Sequence, residues 1–274
     1  MIRDIMVHLD GSSQDEIRLS HAETLAQAFK AHLTALFANR LPGFAISADA
    51  AGTGAVYMAE LMEEAMADGD RLADDIKRRL DRLSAPHDML RVDAVPDNVG
   101  RQVSVAARYA DLFLTVRPSA GSDEGMRWMG LVEGVLFGSS RGVLLVPEGR
   151  PANPIKRIVV GWNGSRESAR AVAEAMPFLR KAAKVVVLTA ERDPGADDLD
   201  TRLVRHLDRH EVKATLHDVR SRDPADAILA EASAIEADMI VIGAYGHSRL
   251  REWALGGVTR DLLLRSPLPL LLAH

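Results

Sequence analysis

Ala237-Asp238-Met239-Ile240-Val241-Ile242-Gly243-Ala244-Tyr245-Gly246 and, after nine further residues, Gly256-Gly257-Val258-Thr259 decide how this chain is read. Met239 to Ile242 is an apolar run of strand length and reads as a buried strand. It ends on Gly243, and Gly246 follows with two residues between. Glycines at the carboxyl end of a strand let backbone approach a ligand closely. The second glycine pair opens an amphipathic run, and the first amides of a helix can hold an anion such as phosphate. The spacing is neither GxxxxGK[ST] nor GxGxxG, the two commoner phosphate loops.

The chain is internally repeated, and this sets its organisation. Ile5-Met6-Val7-His8-Leu9-Asp10-Gly11-Ser12 matches Ile158-Val159-Val160-Gly161-Trp162-Asn163-Gly164-Ser165, an offset of 153 from Asp10 to Asn163. Ala110 to Leu114 matches Ala237 to Val241, and Gly142 to Val146 matches Pro269 to Ala273, both at offset 127. The first copy therefore carries 153 less 127, or 26, extra residues in its middle. They fall at about Leu41–Tyr57 and in a longer helix after it. A mobile surface loop is one reading of that excess; a lid or partner contact is the other. The Pro-rich segment Pro147 to Pro154 reads as a linker, which gives domains at 1–148 and 154–274.

Within the second copy, short apolar runs alternate with helical patterns. Strands are expected at 158–162, 184–190, about 212–219, 238–243 and 269–273. Helices are expected at about 166–182, 197–210, 224–235 and 256–265. Ser165 reads as an N-cap, and Asp223-Pro224 places Pro at a first helical position. This alternation predicts an α/β fold, two tandem doubly wound domains with parallel sheets covered by helices on both faces.

Composition narrows the function classes. The chain has 274 residues, enough for two domains, and a hydrophobic fraction of 47% against 4% aromatic, so its cores are aliphatic. A net charge of −5 argues against a nucleic-acid partner. There is no cysteine, which excludes disulfides and thiolate chemistry. No apolar stretch reaches the roughly 20 residues that span a bilayer, and no signal region precedes Ile5, so no membrane partner and a cytoplasmic location are expected.

Four segments in order carry a resemblance to a known family. Lys156 to Ser165 (KRIVVGWNGS), the run Ala237 to Gly243, the Gly-x-x-Gly, nine residues, Gly pattern, and Ser266 to Leu272 (SPLPLLL) together resemble the universal stress proteins. The resemblance implies a five-stranded sheet of order 3-2-1-4-5 in each half and an adenine nucleotide such as ATP, with or without Mg²⁺, bound in the second. It implies contacts from Asn163 after the first strand and from the backbone of Ala190 after the second. It also implies contacts from Gly243 and Gly246, and from Gly256, Gly257, Val258 and Thr259. Asn163 stands where the family has an aspartate, and Gly257 where it has Ser or Thr. His247, Arg249, Arg251 and Arg260 surround the loop and can neutralise phosphate. In the first half, Thr115-Val116-Arg117-Pro118 replaces the Gly-x-x-Gly element, and Gly130 aligns roughly with Gly256, so a degenerate site is expected there. Family members pair through their last strands, which implies an intrachain pseudo-dimer through 143–146 and 270–272, with a homodimer as an extension.

The resemblance implies a stress-response binding module and no assigned catalytic residue. A slow ATPase or phosphotransferase using Thr259, and a nucleotide-free scaffold, are the alternatives. His206 and His210 have the i, i+4 spacing of a metal pair but lack a third ligand, and they read as a solvated face. Asp68, Asp70, Asp74 and Asp75 among Arg71, Lys77, Arg78 and Arg79 read as a salt-bridged exposed helix.

Overall fold

The structure, a computed structural model, describes residues 1–43, 53–117, 123–190, 197–219, 221, 223–244 and 257–274. Its elements run β1 (Asp4–Leu9), α1 (Asp15–Phe29), β2 (His32–Arg40), α2 (Thr53–Leu80), β3 (His87–Ala94), α3 (Pro96–Ala107), β4 (Leu112–Val116), α4 (Asp123–Gly138), β5 (Gly142–Val146), then β6 (Arg157–Trp162), α5 (Arg166–Leu179), β7 (Lys184–Ala190), α6 (Asp197–Arg209), β8 (Ala214–Val219), α7 (Pro224–Ala234), β9 (Met239–Gly243), α8 (Gly257–Arg265) and β10 (Leu270–Ala273).

All ten strands form one sheet of order β3-β2-β1-β4-β5-β10-β9-β6-β7-β8. Each half has the order 3-2-1-4-5, and every neighbour within a half is parallel. The halves join antiparallel, with Leu270, Leu271 and Leu272 opposite Leu145, Leu144 and Val143. These fully apolar last strands would each be a bare edge alone, and their pairing removes both edges.

Period-2 burial on both faces explains the near-continuous apolar strands. In β6, Ile158 and Val160 join a cluster with Ala171 and Val172 of α5, while Val159 joins another with Ile228 of α7 and Leu262 of α8. The first cluster continues through α1 of the other half, where Phe29 meets Phe178 edge-on at 5.1 Å between centroids. Ser165 caps α5 by accepting from the Ser168 N–H at 3.1 Å, and Asp223 caps α7 from Ala225 and Asp226, as their positions before the helices predict. The strand expected from about 212 starts at Ala214, because Val212 is buried in the turn after α6, where Glu211 is left-handed.

The extra residues of the first half lie between its second and third strands. Leu33 pairs with His87 across 54 residues, whereas Val185 pairs with Ala214 across 29. Helix α2 has 28 residues and its counterpart α6 has 13. The expected insertion at 41–57 falls mostly outside the described residues.

Candidate functional site

In the second half the strand order reverses between β6 and β9, the place where open α/β sheets carry ligands beyond the strands' carboxyl ends. Parallel register brings three expected residues to that edge. Gly161 of β6 sits opposite Ile242 of β9, and Trp162 opposite Thr189 of β7. Asn163 thus emerges beside the last residues of β7 and β9, Ala190 and Gly243. Helix α8, the next described element after β9, begins at Gly257. Gly246, Gly256, His247, Arg249 and Arg251 lie outside the described residues.

Asn163 is exposed, and its Oδ1 accepts from the Ser165 N–H at 3.1 Å across the left-handed Gly164. Asp10 makes the same turn in the first half, accepting from Ser12 N–H at 3.0 Å across the left-handed Gly11. An amide oxygen serves this turn as well as a carboxylate does, so the local fold accepts Asn in place of Asp. Gly243 has a packing reason: a Cβ there would stand 2.4 Å from Ser168 N and 2.5 Å from the Glu167 carbonyl carbon. The first turn of α5 closes directly on the end of β9. Gly257, by contrast, is exposed, and a Cβ on it would meet open space. Val258 is half-buried, Arg260 is exposed, and Thr259 is 6% exposed, so its side chain is turned into the protein.

Thr189 at this edge went unnoticed in the sequence, whereas Trp162 reads there equally as a pocket residue or a packing anchor. Trp162 Nε1 and Thr189 Oγ1 belong to cross-strand partners, and both atoms are buried without a hydrogen-bond partner. The signal for Thr189 was a lone hydroxyl residue closing the apolar run Lys184–Ala190. An unmet buried donor or hydroxyl costs about 1–3 kcal/mol.

The corresponding edge of the first half is closed by its own residues. Arg18 of α1 is 3% exposed and donates to Asp10 (Nη2 to Oδ2, 2.9 Å) and to the fully buried Asp15 (Nη1 to Oδ1, 2.6 Å). Asp15 also accepts from the Asp10 and Gly11 N–H groups at 3.2 and 2.8 Å, and from Arg79 at 3.4 Å. Burial alone would raise the Asp10 carboxyl, but Arg18 outweighs it and holds Asp10 well below the usual carboxylate range. Burial, reinforced by the Asp10 charge, pushes Asp15 up to about 6 against the pull of Arg18. His8, buried beside this cluster with Nδ1 3.3 Å from Thr115 Oγ1, is pushed down to about 3 by burial and by Arg18.

Val116 is buried where the second half has Gly243. Helix α4 starts at Asp123, so Gly130, which at offset 127 matches Gly257, lies inside a helix and not at its start. The expected rough match of Gly130 to a phosphate-loop glycine is therefore corrected. Its neighbourhood serves helix packing: a Cβ on Gly100 of α3 would stand 2.8 Å from the Gly130 carbonyl oxygen, and one on Gly134 would stand 2.7 Å from that of Gly100. Only backbone fits at this crossing.

Comparison with known proteins bears on the second half. Residues 154–274 match the universal stress protein family model. The second half of the chain carries a universal stress protein domain. The universal stress protein Rv1636 of Mycobacterium tuberculosis is 27% identical over 140 residues, covering 43% of this chain and 96% of that protein. The stress response protein NhaX of Bacillus subtilis is 38% identical over 55 residues, 20% of this chain and 33% of that protein. A universal stress protein from Archaeoglobus fulgidus shares the fold over both halves, with a TM-score of 0.74 at 16% identity, covering 98% of this chain and 97% of the other.

The remaining constellations that the sequence offers lie away from this edge. Asp68 pairs with Arg71, Asp74 with Lys77 and Asp75 with Arg78 along α2. Asp70 and Arg79 depart from the expected pattern and reach Arg91 and Asp15 instead. The rings of His206 and His210 meet at 4.7 Å between centroids on α6. Among the described residues no helix is long and apolar enough to cross a membrane.

Proposed function

We propose that the second half binds an adenine nucleotide at the crevice between β6 and β9, and that the protein works as a ligand-responsive binding module in a stress response. The observation that carries this is the register placing Asn163, Ala190 and Gly243 on one carboxyl edge at the reversal of strand order. Helix α8 opens at an exposed glycine. The residues suit a nucleotide whose phosphates are held by backbone. Gly257 supplies an amide without a hydroxyl, and the family's phosphate-binding side chain is missing at that position. The unpartnered Trp162 N–H and Thr189 hydroxyl behind Asn163 and Ala190 fit the same reading, since a ligand group or its ordered water would satisfy them. Thr259 is turned inward, which disfavours it as a phosphotransfer group and favours binding over turnover.

Calorimetric titration of ATP, AMP and adenosine, each with and without Mg²⁺, tests the reading. Saturable binding to wild type that is lost in Gly246→Val is expected. Unchanged binding in Gly246→Val would move the site elsewhere, and no binding to wild type would overturn the reading.

A further inference from the structure

Arg117 occupies the first-half position that matches Ala244 at offset 127. The backbones behave alike: the Arg117 N–H donates to Val146 O at 2.8 Å, and the Ala244 N–H to Ala273 O at 2.9 Å. The side chains do not. The Arg117 guanidinium leaves its own half and donates through Nη1 to the carbonyls of Leu262, at 3.4 Å, and Ser266. Those carbonyls close the carboxyl end of α8. The helix has nine residues, too few to hold its shape without tertiary support. Burial lowers the Arg117 pKa, with Glu148 opposing, so the guanidinium is committed to this contact at some desolvation cost.

The matching helix of the first half is capped from within. Arg108 Nε and Nη2 both donate to the Gly138 carbonyl at the end of α4, each at 3.0 Å. The second-half residue equivalent to Arg108, at offset 127, is Ile235, which has no donor to offer. The linker adds a second hold from outside, as Arg150 Nη1 donates to Pro267 O at 2.9 Å. A cap supplied in cis in one half is therefore supplied in trans in the other.

We propose that Arg117 is a positioning residue for the second half's anion-binding helix. It anchors the carboxyl end of α8 so that the amides at Gly257 and Val258 face the crevice. The first half thereby completes the site of its partner half. This rests on the nucleotide reading above. A cation at the carboxyl end also favours the helix dipole, whose positive end faces the phosphates.

The test compares ATP with adenosine, which lacks phosphate, on the full chain. In Arg117→Met the Kd for ATP should rise about two- to fivefold, the scale of a terminal charge on a helix dipole, while adenosine binding stays within error. Arg117→Lys, which keeps a charged donor, should restore most of the ATP affinity. Amide exchange in a peptide covering 257–266 should quicken in Arg117→Met and leave β6 and β9 unchanged. If Arg117→Met does not fold, Arg117→Gln carries the same comparison. Equal weakening of both ligands, or unchanged ATP binding, would overturn the proposal. Absence of binding to wild type would overturn the nucleotide reading and the positioning role with it, and the exchange data would still report separately whether Arg117 holds α8.

Discussion

The two halves share a strand order and an Asx turn after their first strand, yet their carboxyl edges differ in almost every side chain. Asp15 and Arg18 in the first half become Ser168 and Ala171 in the second, at offset 153. The first half uses that space for a buried guanidinium between two carboxylates. The second half leaves Asn163 exposed and brings α5 onto β9 through Gly243. One scaffold, used twice, carries internal ion pairs at one edge and an exposed Asn163 at the other. Asp at the turn is thus no sign of a ligand by itself: Asp10 is spent on Arg18, whereas uncharged Asn163 remains free to face solvent.

The largest expected effect breaks the closed edge. Arg18→Met leaves Asp10 and the buried Asp15 without their shared counter-charge and should cost about 3–5 kcal/mol in urea unfolding. A loss under about 1 kcal/mol would mean the cluster is not what holds that edge. In the second half, Gly243→Ala forces a methyl against the α5 backbone and should cost about 1–3 kcal/mol, an overpacking penalty. It should also weaken nucleotide binding, because α5 must move away from the edge.

His8 sharpens the comparison through pH. Its folded pKa is lowered to about 3 from 6.5, chiefly by burial, so the unfolded chain takes up the proton first as pH falls. The stability this provides is full above pH 6.5 and is lost as pH drops towards 3. Between pH 7 and 5, wild type should lose about 1–2 kcal/mol more than His8→Gln. Parallel pH profiles for the two proteins would contradict the burial of a neutral imidazole. The smallest expected change is in Gly257→Ser. Its side chain enters open space, so stability should stay within about 0.5 kcal/mol. A restored hydroxyl should tighten ATP binding about threefold, the worth of one modest hydrogen bond. Weaker binding would mean that the α8 amide, not a side chain, needs that space.

The fold was legible because parallel strands buried on both faces leave apolar runs that helical patterns separate, and because the duplication gave each run a second witness. Lys184–Ala190 was read to the residue, and Ser165 and Asp223 announced their helices through capping chemistry. The site was legible only as a pattern. Gly243 looked like a ligand glycine, but contact with the α5 backbone, 75 residues earlier at Ser168, demands it whether or not a ligand binds. Gly130 looked like a relic of the phosphate loop and instead belongs to a helix crossing with Gly100. Neither contact has a local sequence signature, since each depends on how close two distant backbones come. The Asp10–Arg18–Asp15 cluster was hidden for a related reason: charged residues at a helix start read as solvated until packing buries them.

The central claim is one ligand site per chain, in the second half. Calorimetric stoichiometry of ATP on wild type, Gly246→Val and Asp10→Asn tests it most directly. About one equivalent should bind to wild type, with binding abolished in Gly246→Val and unchanged in Asp10→Asn. Two equivalents, or one that survives Gly246→Val and disappears in Asp10→Asn, would place a nucleotide in the first half and contradict the account.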